Sequence, residues 1–454
     1  MKTKLYFTAI MLLGSMAISN AQAQNTECVT NLSIYTEHVK VKNYDAAYTP
    51  WKMVYETCPG LNRANFIYGE RILKDKIKKS SGAEKDGFIS DLMALYDNSM
   101  VHFPKKTKMA DVMIDKVLMK YDNKMISDDE IYSQLGKAFT EDRANFKNPK
   151  ALYLYFSSLV DLHNSGKKEL QEVFDVYDDV TEKIEEENGK LTDIIAKLLP
   201  KEGSMTSKEK KRFKAANTNS KSFGKIAGSV DSKLGALADC GNLVPLYQKS
   251  FDAKKGDVIW VKRAVGRMFA KECTDDPLFS KMVEVQAELD PSADVYVYLG
   301  TLKSKAGDTK GAIADFDKAI TLETDAKRRS NIAYKVATIY RRGSKGAARK
   351  YAQKAIDANP SNGKAYLLIA SLYASSANQC GGTTFEKRAI YWKAADMARK
   401  AGRVNPSLSS RANKSAASYS AKAPTKEMIF TDGMAGKTVT FSCWVGGSVK
   451  VPSL

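Results

Sequence analysis

Between Ala293 and Asp325, apolar or small residues stand at Tyr296, Leu299 and Gly300 and again, beyond Gly307 and Asp308, at Ala312, Phe316 and Ala319. The spacing is helical on both sides of a glycine turn, so it predicts two short antiparallel helices. A second stretch repeats the pattern, with Ala333, Val336, Ala337 and Tyr340 before its turn and Ala348, Ala352, Ala355 and Pro360 after it. A third begins near Gly363 with Tyr366, Ile369, Ala370 and Tyr373. It closes with Ala394, Ala398, Ala401 and Pro406 after an insertion of about a dozen residues around Cys380. Small residues let paired helices approach closely, and the large ones fill the gaps between them.

The same pattern is fainter elsewhere. Near the start, Asn43-Tyr44-Asp45 separates two helical runs, and Ala47, Trp51, Val54 and Pro59 match the second half of a unit. Residues 61–187 are helix-rich, with candidate pairs such as the run from Ala151, but their register is degenerate. From Lys197 to Lys225 the pattern breaks: Gly203, Ser204, Thr206 and Ser207 lie among many lysines, which predicts a basic flexible insertion between two helical halves. After Pro424 the run KTVTFSCWVGGSVKV becomes β-branched and apolar, which predicts short strands capping the last helices. The expected organisation is a helical region over 24–196, the insertion over 197–225, further helix pairs over 226–423 and a β-type tail over 424–454.

The residues quoted over 293–406 resemble the tetratricopeptide repeat family. There a bulky residue, Leu-Gly, a later Ala, an aromatic and another Ala occupy these places in a unit of about 34 residues. The closing Cys-Trp-hydrophobic element is loosely similar to the tails of exported tetratricopeptide proteins of Bacteroidota, without implying an activity. The resemblance implies an all-α fold, a superhelical array of helix pairs with a concave binding surface. It also implies a scaffold or adaptor for a protein or peptide partner.

The N-terminus adds a compartment. Lys2 and Lys4, the apolar run from Leu5 to Ile18 and the small residues around Ala21 and Ala23 make a secretory signal peptide over 1–23. Export is expected, to the periplasm, the cell envelope or the medium. No later stretch has the roughly 20 apolar residues of a membrane helix. The formal charge is +19, falling by two to +17 without Lys2 and Lys4. That excess predicts attraction to acidic partners, and export argues against nucleic acid as the target.

Six cysteines allow fifteen pairings in an oxidising compartment. Cys28 with Cys58 and Cys240 with Cys273 each start before one predicted helix and end after its antiparallel neighbour, where the two ends are adjacent. Tyr35 and Tyr247 each follow the first cysteine by seven residues, so the two segments read as versions of one stapled unit. Cys380 and Cys443 remain for each other. His38, His102 and His163 stand apart from the cysteines, so no zinc cage is expected.

Nothing in the chain matches a GxSxG element, a phosphate-binding glycine loop or HExxH, and neither an enzyme nor a cofactor is expected. Asp178-Asp179 and Glu185-Glu186-Glu187 read as a solvated helical face. In the basic segment Lys208, Lys210, Lys211, Arg212, Lys214, Lys221 and Lys225 interleave with Phe213 and Phe223. That arrangement offers an alternative function, binding a polyanion or polysaccharide. A hydrolase site in the degenerate middle is the third reading. In the family register Leu299, Val336 and Ile369 face the core. The opposite stripe lines the groove: Val297, Thr301 and Lys305, then Asn331, Tyr334, Thr338, Arg341 and Arg342, then Lys364, Leu367 and Ser371. It is basic with apolar spots and suits an extended acidic peptide. Val297 and Thr301 replace the lysine and asparagine of relatives that clamp a C-terminal carboxylate, so that clamp is not expected.

Overall fold

A computed structural model describes residues 26–453; the expected signal peptide lies outside them. The described chain is all-α apart from one two-stranded sheet, and it divides into two compact units at Leu162/His163. That boundary is not the basic segment, which lies within the second unit.

The first unit holds α1 (26–40), α2 (Tyr44–Thr57), α3 (Ala64–Lys79), α4 (Gly82–His102), α5 (Met109–Asp122), α6 (Asp128–Glu141) and most of α7 (Pro149–Asn164). Its first pair is stapled by Cys28–Cys58. Tyr35 is fully buried and donates to Asn65 Oδ1 at 2.5 Å, while Trp51 Nε1 donates to the Asn65 carbonyl at 2.8 Å. Gly69 lets α3 approach that indole, because a Cβ there would stand 2.6 Å from the Trp51 ring.

The second unit opens with two long helices, α8 (Leu170–Leu198) and α9 (Ser207–Leu234). There follow α10 (Cys240–Lys254), α11 (Val258–Ala270), α12 (Pro277–Leu289), α13 (Ala293–Lys305), α14 (Thr309–Leu322), α15 (Ala326–Tyr340) and α16 (Lys345–Ala358). It ends with α17 (Gly363–Ala374), α18 (Thr384–Val404), α19 (Ser409–Ser420) and α20 (Lys426–Thr431) before β1 (Thr438–Thr440) and β2 (Ser448–Lys450). Helix α13 packs on α14, α15 on α16 and α17 on α18, while α13, α15 and α17 also touch side by side as one layer.

The pairs form as their residues dictate. Gly307 takes φ +86°, the left-handed conformation that a tight helix-ending turn requires. Asp308 then caps α14 by accepting from Gly311 N at 2.8 Å. Gly300 brings α13 against α14, since a Cβ there would meet the Phe316 ring at 2.6 Å. Ala312, Phe316, Ala319, Val336, Ile369, Ala394 and Ala398 share one apolar core, so the three pairs pack as one array. Leu299, expected to face the core, is only half-buried, because α13 buries Val295, Val297 and Tyr298 instead.

One expectation is corrected here. Most of the segment from Lys197 to Lys225 is helical. Leu198 ends α8, a short turn follows, and α9 starts at a capping box in which Thr206 and Glu209 satisfy each other's backbone N–H. The buried side of α9 is made of Ala216, Ser220, Phe223, Val230 and Leu234, too small and polar a set to read as an apolar stripe. The insertion around Cys380 is likewise ordered, as a short turn over Ala377–Gln379 and an early start of α18 at another capping box, Thr383 with Glu386. Cys240–Cys273 is bonded as its place in a helix pair predicts, and Cys380–Cys443 as the pair that remains. The tail strands pair antiparallel with Val439 opposite Val449 and bury Val439, Phe441, Val445 and Val451 on the last helices. Lys393 Nζ donates to the Gly446 carbonyl at 2.5 Å, and Trp444 packs against Tyr373 with ring centroids 6.0 Å apart.

Candidate functional site

The groove stripe predicted from the sequence lies on the layer formed by α13, α15 and α17. Its members fare differently. Val297, Thr301 and Leu367 are buried; Lys305, Asn331, Arg341, Arg342 and Lys364 are exposed; Tyr334, Thr338 and Ser371 lie between. Three hydroxyls are spent on their own helices: Thr301 Oγ1 donates to the Val297 carbonyl at 2.7 Å, Thr338 Oγ1 to Lys335 at 2.6 Å and Ser371 Oγ to Leu368 at 2.8 Å. Lys305 pairs with Asp275 at 2.5 Å, and Arg342 reaches Glu272 at only 3.8 Å. Arg341 and Asn331 have no side-chain partner among the described residues.

Helix α8 pairs with residues beside this stripe, and its role was missed in the sequence. Its carboxylates run along the first-helix layer. Asp178 pairs with Arg267 of α11, and Asp179 with Arg263 at 2.6 Å. Glu185 reaches Lys364 of α17 at 3.9 Å, and Asp193 holds Lys327 of α15 at 2.7 Å. Lys327 also donates to the Gly189 carbonyl at 3.3 Å. Lys327 precedes Asn331 by one turn on α15, so the acidic helix meets α15 just before its stripe residues begin.

The expectation of a solvated acidic face is therefore wrong for two residues. Asp178 is largely buried, and burial raises its pKa although Arg267 pulls the other way. Glu187 is 7% exposed; burial alone would raise it, but Lys183 and Lys190, each at 2.7 Å, hold its carboxyl below the usual range. On the same layer, Lys335 of α15 holds Asp294 of α13 at 2.7 Å. Burial works against the Lys335 charge, yet Tyr298 and Asp294 keep its ammonium above the ordinary value.

The basic residues of α9 stand apart from this site. Lys208, Lys210, Lys211, Arg212, Lys214, Lys221 and Lys225 are exposed. Phe223 is 4% exposed and Phe213 half-buried, so of the two interleaved aromatics only Phe213 reaches the surface, and only in part.

The first unit contains a cleft of about 280 Å³ among α3, α4 and α5, lined by Phe66, Tyr96 and Phe103 with Glu70, Asp111 and Asp115. Tyr96 donates to Glu70 at 3.1 Å and Lys74 pairs with it at 2.6 Å. Its hydroxyls are engaged by backbone: Ser99 Oγ donates to the Tyr96 carbonyl at 2.7 Å and Thr107 Oγ1 to Ser99 at 3.0 Å. Neither of these hydroxyls is hydrogen-bonded to a carboxylate or a histidine among the described residues. Among the described residues no three His, Cys, Asp or Glu side chains converge as metal ligands, and no helix is long and apolar enough to cross a membrane.

No protein-family model and no curated protein matches the chain. Among solved structures it is similar to a tetratricopeptide repeat protein from Parabacteroides merdae, at 13% identity over 68% of this chain and 97% of that one, with a TM-score of 0.25. It is also similar to yeast Tom70, at 11% identity over 90% of each chain and a TM-score of 0.32. A third is the TPR2AB domain of yeast Sti1 in complex with pHSP90, at 15% identity over 68% of this chain and 98% of that one, with a TM-score of 0.20.

Proposed function

We propose that this chain is an exported scaffold or adaptor that binds an acidic protein or peptide segment on the first-helix layer of α13, α15 and α17. The observation that carries this reading is the way that layer and α11 already hold an acidic helix. Arg267, Arg263, Lys364 and Lys327 take up Asp178, Asp179, Glu185 and Asp193 of α8 in turn along its length. The same chemistry continues beyond α8, where Arg341 and Asn331 are exposed beside half-buried Tyr334. A guanidinium offers a planar fork of donors to a carboxylate, and an aromatic edge offers a side-chain contact, which together suit an extended acidic segment. Three disulfides support an oxidising compartment, and with the expected signal peptide they favour the periplasm or cell envelope.

The test is partner capture from the envelope fraction by the wild type and by the Arg341→Glu/Arg342→Glu variant. Both positions are exposed at the end of α15, so the helical signal and melting temperature should hold while capture falls by roughly tenfold or more. Recovery of the same partner at unchanged, equally salt-sensitive affinity places the docking surface elsewhere.

A further inference from the structure

Helix α9 buries one side and gives the other to solvent. The buried side carries Ala216, Ser220, Phe223, Val230 and Leu234. On the far side Lys210, Lys214, Lys221 and Lys225 recur at intervals of four, seven and four residues, and all four are exposed. At 3.6 residues per turn they fall within about 60° of arc, in a single file roughly 22 Å long. No carboxylate pairs with any of them among the described residues. The helix's own acids are engaged elsewhere: Glu209 accepts from Thr206 N at 2.9 Å, and Asp231 accepts from the Tyr177 hydroxyl at 2.8 Å. Lysines four apart repel each other along a helix, and nothing in the fold offsets that repulsion here.

We infer that this row is a binding site for a linear acidic polysaccharide. A single file of cations on a convex helix matches a chain that carries its carboxylates or sulfates in sequence. Thr218 and Gly228, exposed between and beyond the lysines, keep the face low enough for such a chain to lie along it. A nucleic acid strand would gain from fully exposed aromatic faces among the lysines, but Phe223 is buried and Phe213 is half-buried to one side of the row. A bilayer surface would gain from apolar side chains able to enter it, and the face that carries the four lysines presents none, with half-buried Phe213 lying outside it. The site is independent of the adaptor reading, whose docking surface lies on α13, α15 and α17.

The experiment measures binding of the full chain to polygalacturonate, with a single-stranded oligonucleotide and phosphatidylglycerol vesicles as comparison probes, at several salt concentrations. The row variant is K210Q/K214Q/K221Q/K225Q. A control of equal charge loss replaces the exposed Lys310, Lys350, Lys414 and Lys426 of the same unit by Gln. The row variant is expected to lose roughly tenfold or more in polygalacturonate affinity near 50 mM salt and to flatten its salt dependence, the control about twofold or less. Circular dichroism checks that both remain folded. The inference is overturned if the wild type does not bind polygalacturonate or if both variants lose affinity equally. It is also overturned if the row variant is unaffected, or if the oligonucleotide or the vesicles bind more tightly than the polysaccharide.

Discussion

Arg267 joins three helices through one side chain. Its guanidinium lies 4.6 Å from the Phe174 ring centroid, donates to the Phe174 carbonyl at 2.9 Å, and is bonded to the Tyr247 hydroxyl and to Asp178. Removing one member of a buried ion pair strands the other's charge, so Arg267→Ala should cost about 3–5 kcal/mol in denaturant unfolding. Arg267→Lys should recover only part of this, because an ammonium lacks the fork. An unchanged midpoint in the alanine variant contradicts the account. Asp115 behaves differently. Burial, then the neighbouring Glu70, push its carboxyl up from 3.8 to about 6. Asp111 adds to that rise while Lys74 opposes it, and Tyr96 faces the same group from α4. Between those values the folded chain binds more protons than the unfolded one, so stability falls as pH rises through the window, and the penalty is complete above about pH 6. Asp115→Asn should therefore raise the melting temperature near pH 8 and leave it unchanged near pH 3, as a thermal scan across pH would reveal; the opposite order contradicts the assignment. Neither residue was singled out in the sequence. Arg267 lies 89 residues from Asp178 and Arg263 lies 84 from Asp179, and no local periodicity links positions so far apart.

At the scale of elements, the helix pairs were legible where small and large apolar residues alternate at helical spacing, as at Gly300, Ala312 and Phe316. Helix α9 was not, because the residues that break an apolar pattern are the ones that let it pack. Gly224 is the clearest: a Cβ there would lie 2.1 Å from the Ser407 carbonyl oxygen, so the glycine sets how closely α9 meets the 406–408 turn. Gly224→Ala must move backbone, and a cost of about 1–3 kcal/mol is expected. The same variant should expose Lys221 and Lys225 to faster tryptic cleavage. Cleavage at the wild-type rate, with an unchanged melting temperature, would mean that the contact is slack. The disulfides were legible for the opposite reason, since a cysteine at each open end of a predicted hairpin needs no long-range information. Closing loops of 30 and 33 residues stabilises the two stapled pairs by roughly 3–4 kcal/mol each in the chain-entropy model.

For the molecule as a whole, the candidate groove was only partly legible. Its positions followed from the register of α13, α15 and α17, but no local pattern signalled that the chain's own acidic helix pairs with Lys327 and Lys364 beside it. The account's central claim is that the uncovered end, at Tyr334 and Arg341, receives an acidic segment of a partner. The most direct measurement places a photo-crosslinking residue at Tyr334 in the full chain and, as a control, at exposed Lys310. Irradiation in the envelope should give a discrete protein adduct from position 334 that diminishes with salt and disappears with Arg341→Glu/Arg342→Glu. An adduct from Lys310 and none from Tyr334, or an adduct at 334 that survives the double substitution, contradicts the claim.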